Sequence, residues 1–187
     1  ESDPLCYPGT TVLRNLMDLD TQDDLDEFEV AMFVIRAEEP LPDGSLDYAH
    51  YRALHFHRFQ DVYPWAGQVR TIRIGKGDNW FCYPEYIDRE MLRIFGALAD
   101  NNHLRDLDPP TFAARAAHVL ADINAVHPFR EGNGRTQLTF LSLLAEHAGL
   151  PFNPDVLARD RVITAMIESF SGDEAPLAAL ILDIVTA

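Results

Sequence analysis

Two apolar helical repeats, separated by one short polar stretch, set the limits on how this chain folds. Phe112, Ala116, Val119, Ile123 and Val126 recur at helical spacing and stop at His127. The segment TQLTFLSLLAEHAGL, residues 136–150, is apolar nearly all round, which marks a buried helix. Gly149 ends it and Pro151 confirms the stop. Between the two lies HPFREGNGR, residues 127–135. The pattern predicts a central buried helix pair with a short loop joining them and opening onto a helix N-terminus.

The remaining segments surround that pair. YPG reads as a turn, and Thr10 or Thr11 is placed to cap a short helix through VLRNLM. Thr21 followed by Asp24 resembles a loosened capping box, and Leu25, Phe28, Met32 and Ile35 continue as a helix with an acidic, solvated start. PLPDGS is a loop, and a helix follows through LDYAHYRALHFHRFQ. His50, His55 and His57 lie on it, but His55 and His57 point to different helix faces and have no Cys or acid at ligand spacing, so a metal site is not expected. Residues 68–83, QVRTIRIGKGDNWFCY, change period: Ile72 and Ile74 alternate with Thr71, Arg73 and Gly75 around a GKGD turn, a β-hairpin in a mainly α chain. Its edges need cover or serve to pair with something else. Ile87, Met91, Ile94 and Leu98 mark a further helix, and two more fall in DVLARDRVITAMIESF and APLAALILDIV.

The length of 187 residues suits a single domain over 1–187. The start at Glu1 leads us to expect that a leader or a further domain has been cut away upstream. Thirty acidic against 15 basic side chains give a formal charge of −15, which argues against a broad nucleic-acid surface but leaves room for a pocket holding one nucleotide. Cys6 and Cys82 are too few and too far apart for a disulfide framework, which fits a reducing cytosol. No apolar run reaches the roughly 18 residues that a membrane span needs.

The chemistry gathers in residues 127–135. Gly132 and Gly134 permit backbone conformations that turn successive N–H groups toward an anion. The dipole of the following helix adds partial positive charge, and Arg135 supplies a planar fork for phosphate oxygens. Glu131 would repel a bare phosphate but suits a divalent cation placed between them. Asn133 offers an amide to a phosphoryl oxygen, and neutral His127 can accept a proton from an attacking hydroxyl. These residue types together point to a nucleotide held by its phosphates and to in-line attack at phosphorus.

The stretch also resembles the signature of the Fic family, H-x-F-x-[D/E]-G-N-G-R-x-x-R. His127, Phe129, Glu131, Gly132, Asn133, Gly134 and Arg135 match, and Leu138 stands where the family has its last arginine. The hairpin resembles the family's flap, and YPGTTVLRNL resembles the start of bacterial toxin-type members whose inhibitor is a separate small protein. The resemblance implies the mainly α Fic fold and transfer of AMP from ATP to a Tyr, Ser or Thr hydroxyl of a target protein, with release of pyrophosphate. It implies His127 as general base, Glu131 as the Mg²⁺ ligand, and Phe129 as the anchor of the loop. Arg130, Gly132, Asn133, Gly134 and Arg135 would be the nucleotide-binding residues. Ile72, Arg73, Ile74, Gly75 and Lys76 would be the flap on which an extended target segment docks. Similar toxins modify type II topoisomerase subunits and related secreted effectors modify GTPases, so either class of target is implied, as is a cytoplasmic or a secreted setting. Leu138 removes the family's usual grip on the γ-phosphate and the usual partner of an inhibitory glutamate. That leaves two alternatives, a different nucleotide or phosphate donor and a weakened nucleotide-binding protein. Thr164 to Glu168 matches the first part of an internal inhibitory segment but continues with Ser169, so a separate antitoxin-like partner is expected instead.

Overall fold

The computed structural model describes residues 3–77 and 79–187. Its helices are α1 (Gln22–Ala37), α2 (Tyr48–Phe59), α3 (Ile87–Asp100), α4 (Pro109–Val126), α5 (Asn133–His147), α6 (Arg159–Phe170) and α7 (Ala175–Thr186). Two short strands, β1 (Gly75–Lys76) and β2 (Asn79–Trp80), form an antiparallel hairpin.

Local chemistry sets the helix starts. Thr21 caps α1 through its hydroxyl, which accepts from Asp24 N, and Asp47 caps α2 through His50 N. Asp108 caps α4 by accepting from Thr111 N at 3.1 Å, and Pro109 stands at the first helical position, where its missing N–H is not needed.

α4 is the central element. It buries Phe112, Ala113, Ala116, Ala117, Leu120, Ala121, Ile123 and Val126, which cover more than one face. Its alanines let neighbours approach closely, and α7, which buries Leu177, Leu180, Ile181, Ile184 and Val185, packs on it most extensively. α3 and α5 also pack against α4. The expected central pair is therefore joined by α7 as a third core helix. α5 is also less apolar than its sequence suggests, since Asn133, Thr136, Gln137 and Thr139 are buried along with Phe140, Leu141 and Leu144.

The helix expected through VLRNLM does not form. Residues 5–14 instead fold back on themselves, with Tyr7 N bonded to Val12 O, Arg14 N bonded to Leu5 O, and an antiparallel bridge between Cys6 and Leu13. The Asn15 amide fixes the next turn by bonding Leu13 O, Leu19 O and the N–H groups of Met17 and Leu19, so it competes with the helix for the same backbone groups. This segment builds a smaller core with Leu25, Phe59, Val62 and Tyr63 beside α1 and α2. Cys6 and Cys82 are both free thiols. Among the described residues no helix is long and apolar enough to cross a membrane.

The weight given to the α4–α7 contact is testable. Leu180 is fully buried there, so Leu180→Ala should lower unfolding free energy in denaturant titrations by about 2–5 kcal/mol. A loss below about 1 kcal/mol would show that α7 is not part of the central core.

Candidate active site

α4 ends at His127, whose N–H bonds Ile123 O at 2.8 Å and whose backbone is left-handed, with φ 52° and ψ 65°. A side chain other than Gly or Asn is uncommon in that conformation, and holding it costs on the order of 1–3 kcal/mol. The turn aims the imidazole onto the ring of Phe81, at 3.8 Å between centroids and 11° between planes. Nδ1 is shielded from solvent and makes no well-formed hydrogen bond, although the Asn124 carbonyl lies near the ring, which leaves Nε2 as the nitrogen on the open side. Burial pushes the imidazole pKa down to about 4, opposed by the Asn124 carbonyl and reinforced by the charges of Arg70 and Lys76. At neutral pH His127 is therefore an uncharged proton acceptor.

Two residues clamp the loop that follows. Phe129 is completely buried, stacked on Tyr51 and on the ring of His55, the latter at 3.8 Å. Asn133 accepts from Phe129 N at 3.0 Å and donates to Phe129 O at 2.8 Å. Asn133 was expected to reach a phosphate, but its amide closes the loop on itself instead. Gly132 has φ +81°, and a Cβ there would lie 2.5 Å from the Phe59 ring, so no other residue fits without moving the core.

His55 fixes the loop from below. Its Nδ1 accepts from Gly67 N at 2.8 Å, which places the ring proton on Nε2, donated to Glu131 O at 2.9 Å. Burial holds its pKa at about 4. His50 accepts from Leu46 N and bonds Pro42 O, and His57 bonds Arg36 O, so these two histidines of α2 also serve the main chain.

α5 then begins at Gly132 with no side-chain cap. Among the described residues the N–H groups of Asn133, Gly134 and Arg135 have no partner, and a Cβ at Gly134 would touch nothing. The helix N-terminus thus presents bare amides to open space, the arrangement that binds anions. Glu131 lies beside it with its side chain 46% exposed, one oxygen accepting from Gly132 N and 3.6 Å from Arg135. The Arg135 guanidinium lies over the Phe59 ring and pairs with Glu29 at 2.6 Å, and Glu29 also accepts from the Tyr63 hydroxyl. Arg130, expected among the nucleotide-binding residues, pairs with Asp3 at 2.7 Å.

The hairpin is shorter than its alternation predicts. Ile72 and Ile74 are half-buried while Thr71, Arg73 and Gly75 are exposed, as expected, but ladder pairing is confined to β1, β2 and a Phe81 N to Ile74 O bond. The reason is Arg70, which is only 4% exposed. Its guanidinium enters between the strands and donates to Ile72 O at 2.7 Å, Cys82 O at 2.6 Å, Val126 O at 3.1 Å and His127 O at 2.8 Å. It ties both hairpin strands to the end of α4 and places a cation beside His127. Its signal in the sequence is parity, because position 70 shares the inward face with Ile72 and Ile74, where a charge is out of place.

The molecule is thus a helical protein with a phosphate-type cradle at one helix N-terminus, a neutral histidine on the same loop, and a hairpin beside it. Comparison with known proteins makes that class specific. Residues 45–145 match the Fic/DOC family. The chain is 62% identical over 178 residues to a probable protein adenylyltransferase, y4lH, of Sinorhizobium fredii, covering 95% of this chain and 93% of that one. Among solved structures it is similar to the BepC effector of Bartonella tribocorum with bound AMPPNP, at a TM-score of 0.86 and 28% identity, covering 96% of this chain and 95% of that one. The Fic domain of a Bartonella quintana effector with bound ADP gives a TM-score of 0.86 and 28% identity, covering 96% and 93%. The chain belongs to the Fic/DOC family.

His55 and His127 both hold protons less readily folded than unfolded. Their stabilising contribution is full above the ordinary imidazole pKa and is lost as pH falls from about 6.5 toward about 4. Following the imidazole signals by NMR should show both rings neutral at pH 6. Arg70→Met should move the His127 midpoint upward, since a neighbouring cation is removed. An unperturbed His127 midpoint near 6.5 would contradict the buried setting.

Proposed function

We propose that this protein transfers AMP from ATP to a Tyr, Ser or Thr hydroxyl of a target protein. The observation that carries the reading is a neutral imidazole and a set of bare helix amides on the two ends of one clamped loop. The triphosphate lies across the first turn of α5, its charge met by the N–H groups of Asn133, Gly134 and Arg135 and by the helix dipole. Gly134 leaves room for that close approach. Arg135, already oriented by Glu29 and Phe59, adds charge-assisted hydrogen bonds. The target hydroxyl oxygen attacks the α-phosphorus, its proton passes to His127 Nε2, and the bond from the α-phosphorus to the bridging oxygen breaks to release pyrophosphate.

Glu131 fits a Mg²⁺ ligand. It is a single exposed carboxylate beside the phosphate cradle, and Mg²⁺ is commonly held by one or two carboxylates plus phosphate oxygens and water. Among the described residues no cluster of three His, Cys, Asp or Glu forms an all-protein cage. When bound there, the ion would neutralise phosphate charge.

The target docks on the free edge of the hairpin over residues 72–76. A topoisomerase subunit or a GTPase that presents its hydroxyl on an extended segment would suit that mode. A separate small inhibitor remains part of this reading. Its support is that Thr164 to Glu168 is an ordinary part of α6, with Glu168 facing a cavity between α6 and α7.

Leu138 is half-buried and packs against the core, so it offers no charge to a terminal phosphate. ATP and ADP should therefore bind His127→Ala protein with affinities within about fivefold of each other, and Leu138→Arg should favour ATP by about tenfold or more. Strong ATP preference in the unaltered Leu138 chain would contradict this. The transfer itself is tested by incubating the protein with Mg²⁺, a bacterial lysate, and ATP labelled at either the α- or the γ-phosphate. Label should enter a protein from the α-position only, and His127→Ala should abolish it. Transfer from the γ-position would make the protein a phosphotransferase, and labelling that survives His127→Ala would remove the assigned base.

A further inference from the structure

The hairpin register gives each flap residue a side and an edge. Gly75 faces Trp80 and Lys76 faces Asn79. Phe81 N donates to Ile74 O, and Arg70 donates to Ile72 O. Ile72 and Ile74 therefore turn their main-chain groups inward, and Arg73 and Gly75 turn theirs to the free edge. Among the described residues the main-chain groups of Arg73 have no partner, and by the alternation of the ladder those of Gly75 turn the same way. An added strand would bond to those two residues.

The pleat also separates two faces. Ile74 and Phe81 share the face that lies on His127, where Phe81 meets the imidazole. Arg73 and Trp80 share the other. There the Arg73 guanidinium is exposed and stacked 4.7 Å from the Trp80 ring and 3.9 Å from that of Tyr83, both exposed. Stacking covers the faces of a guanidinium and leaves its N–H edge free, with the geometry that takes a carboxylate by two bonds. No carboxylate of the described residues lies within ion-pair distance of Arg73, while the neighbouring Arg89 is already paired with Glu90. Arg, Trp and Tyr are also the side chains that most often dominate binding energy at interfaces.

We propose that Arg73 reads an acidic side chain of the docked target, an Asp or Glu standing an odd number of residues from the hydroxyl that is modified. This rests on the transferase reading, in which the hydroxyl enters on the His127 face. Residues directly opposite each other on paired strands share a face, so the target residue opposite Arg73 points away from His127 and toward the guanidinium. Residues on the two faces of one strand alternate, so the spacing is odd. On a chain of charge −15 an acidic segment is repelled over most of the surface. One oriented cation at the docking edge therefore sets register as well as affinity.

The test separates docking from chemistry. His127→Ala protein is titrated with fluorescein-labelled peptides, each with a central Tyr in an otherwise neutral extended sequence and a single Asp moved along it, and binding is read by anisotropy. Asp at one odd spacing should bind about two- to fivefold tighter than at even spacings, the scale of one well-formed exposed ion pair. The preference should weaken in Arg73→Lys and pass to Lys-bearing peptides in Arg73→Glu, with circular dichroism confirming that each variant is folded. Undetectable binding, equal binding at all spacings, or an unchanged profile in Arg73→Glu overturns the proposal. If the profile appears but the unaltered protein adds no AMP to the tightest peptide, the docking role of Arg73 stands and the transferase reading falls.

Discussion

The active loop depends on one reciprocal contact, the Asn133 amide bonded to both the N–H and the carbonyl of Phe129. That contact closes a ring between the residue that anchors the loop in the core and the first residue of α5. With it in place, Gly132 must adopt its left-handed turn under Phe59, and α5 must begin without a side-chain cap. A Ser or Asp cap would have satisfied one of the amides internally. The uncapped start leaves them for a ligand.

The two sides of the site are held by different means. The phosphate side is secured by packing, with Phe129 between Tyr51 and His55, and by the His55 bond to Glu131 O. The hairpin side, on which a target is proposed to dock, is secured by Arg70, whose bonds to four carbonyls join the hairpin to α4 and to His127. A buried guanidinium without a carboxylate is costly to desolvate, and here the last carbonyls of α4, at the negative end of its dipole, offset part of that cost. One side chain therefore ties His127 to the hairpin.

Most of the helices were legible in the sequence because apolar spacing and capping residues agreed, as at Thr21 and the stripe from Phe112 to Val126. The placement of the site in residues 127–135 was legible because two glycines, an acid, an arginine and a histidine seldom meet between buried helices for packing alone. Individual roles were less so. An Asn or Arg side chain serves a ligand or its own chain equally well, and only coordinates show Asn133 bonded to Phe129 and Arg130 bonded to Asp3. The N-terminal helix failed because Asn15 captures the carbonyls and amides that a helix would have used. Arg70 broke the alternation of its strand, a local inconsistency of the kind that marks functional positions.

The central claim is that the first-turn amides of α5 hold the phosphates. It is tested most directly by titrating isotope-labelled His127→Ala protein with ATP and Mg²⁺ while following backbone amide resonances. The account predicts that Asn133, Gly134 and Arg135 show the largest shifts and saturate together. Saturable shifts confined to another region, such as the cavity between α6 and α7, with these three amides unmoved, would contradict it.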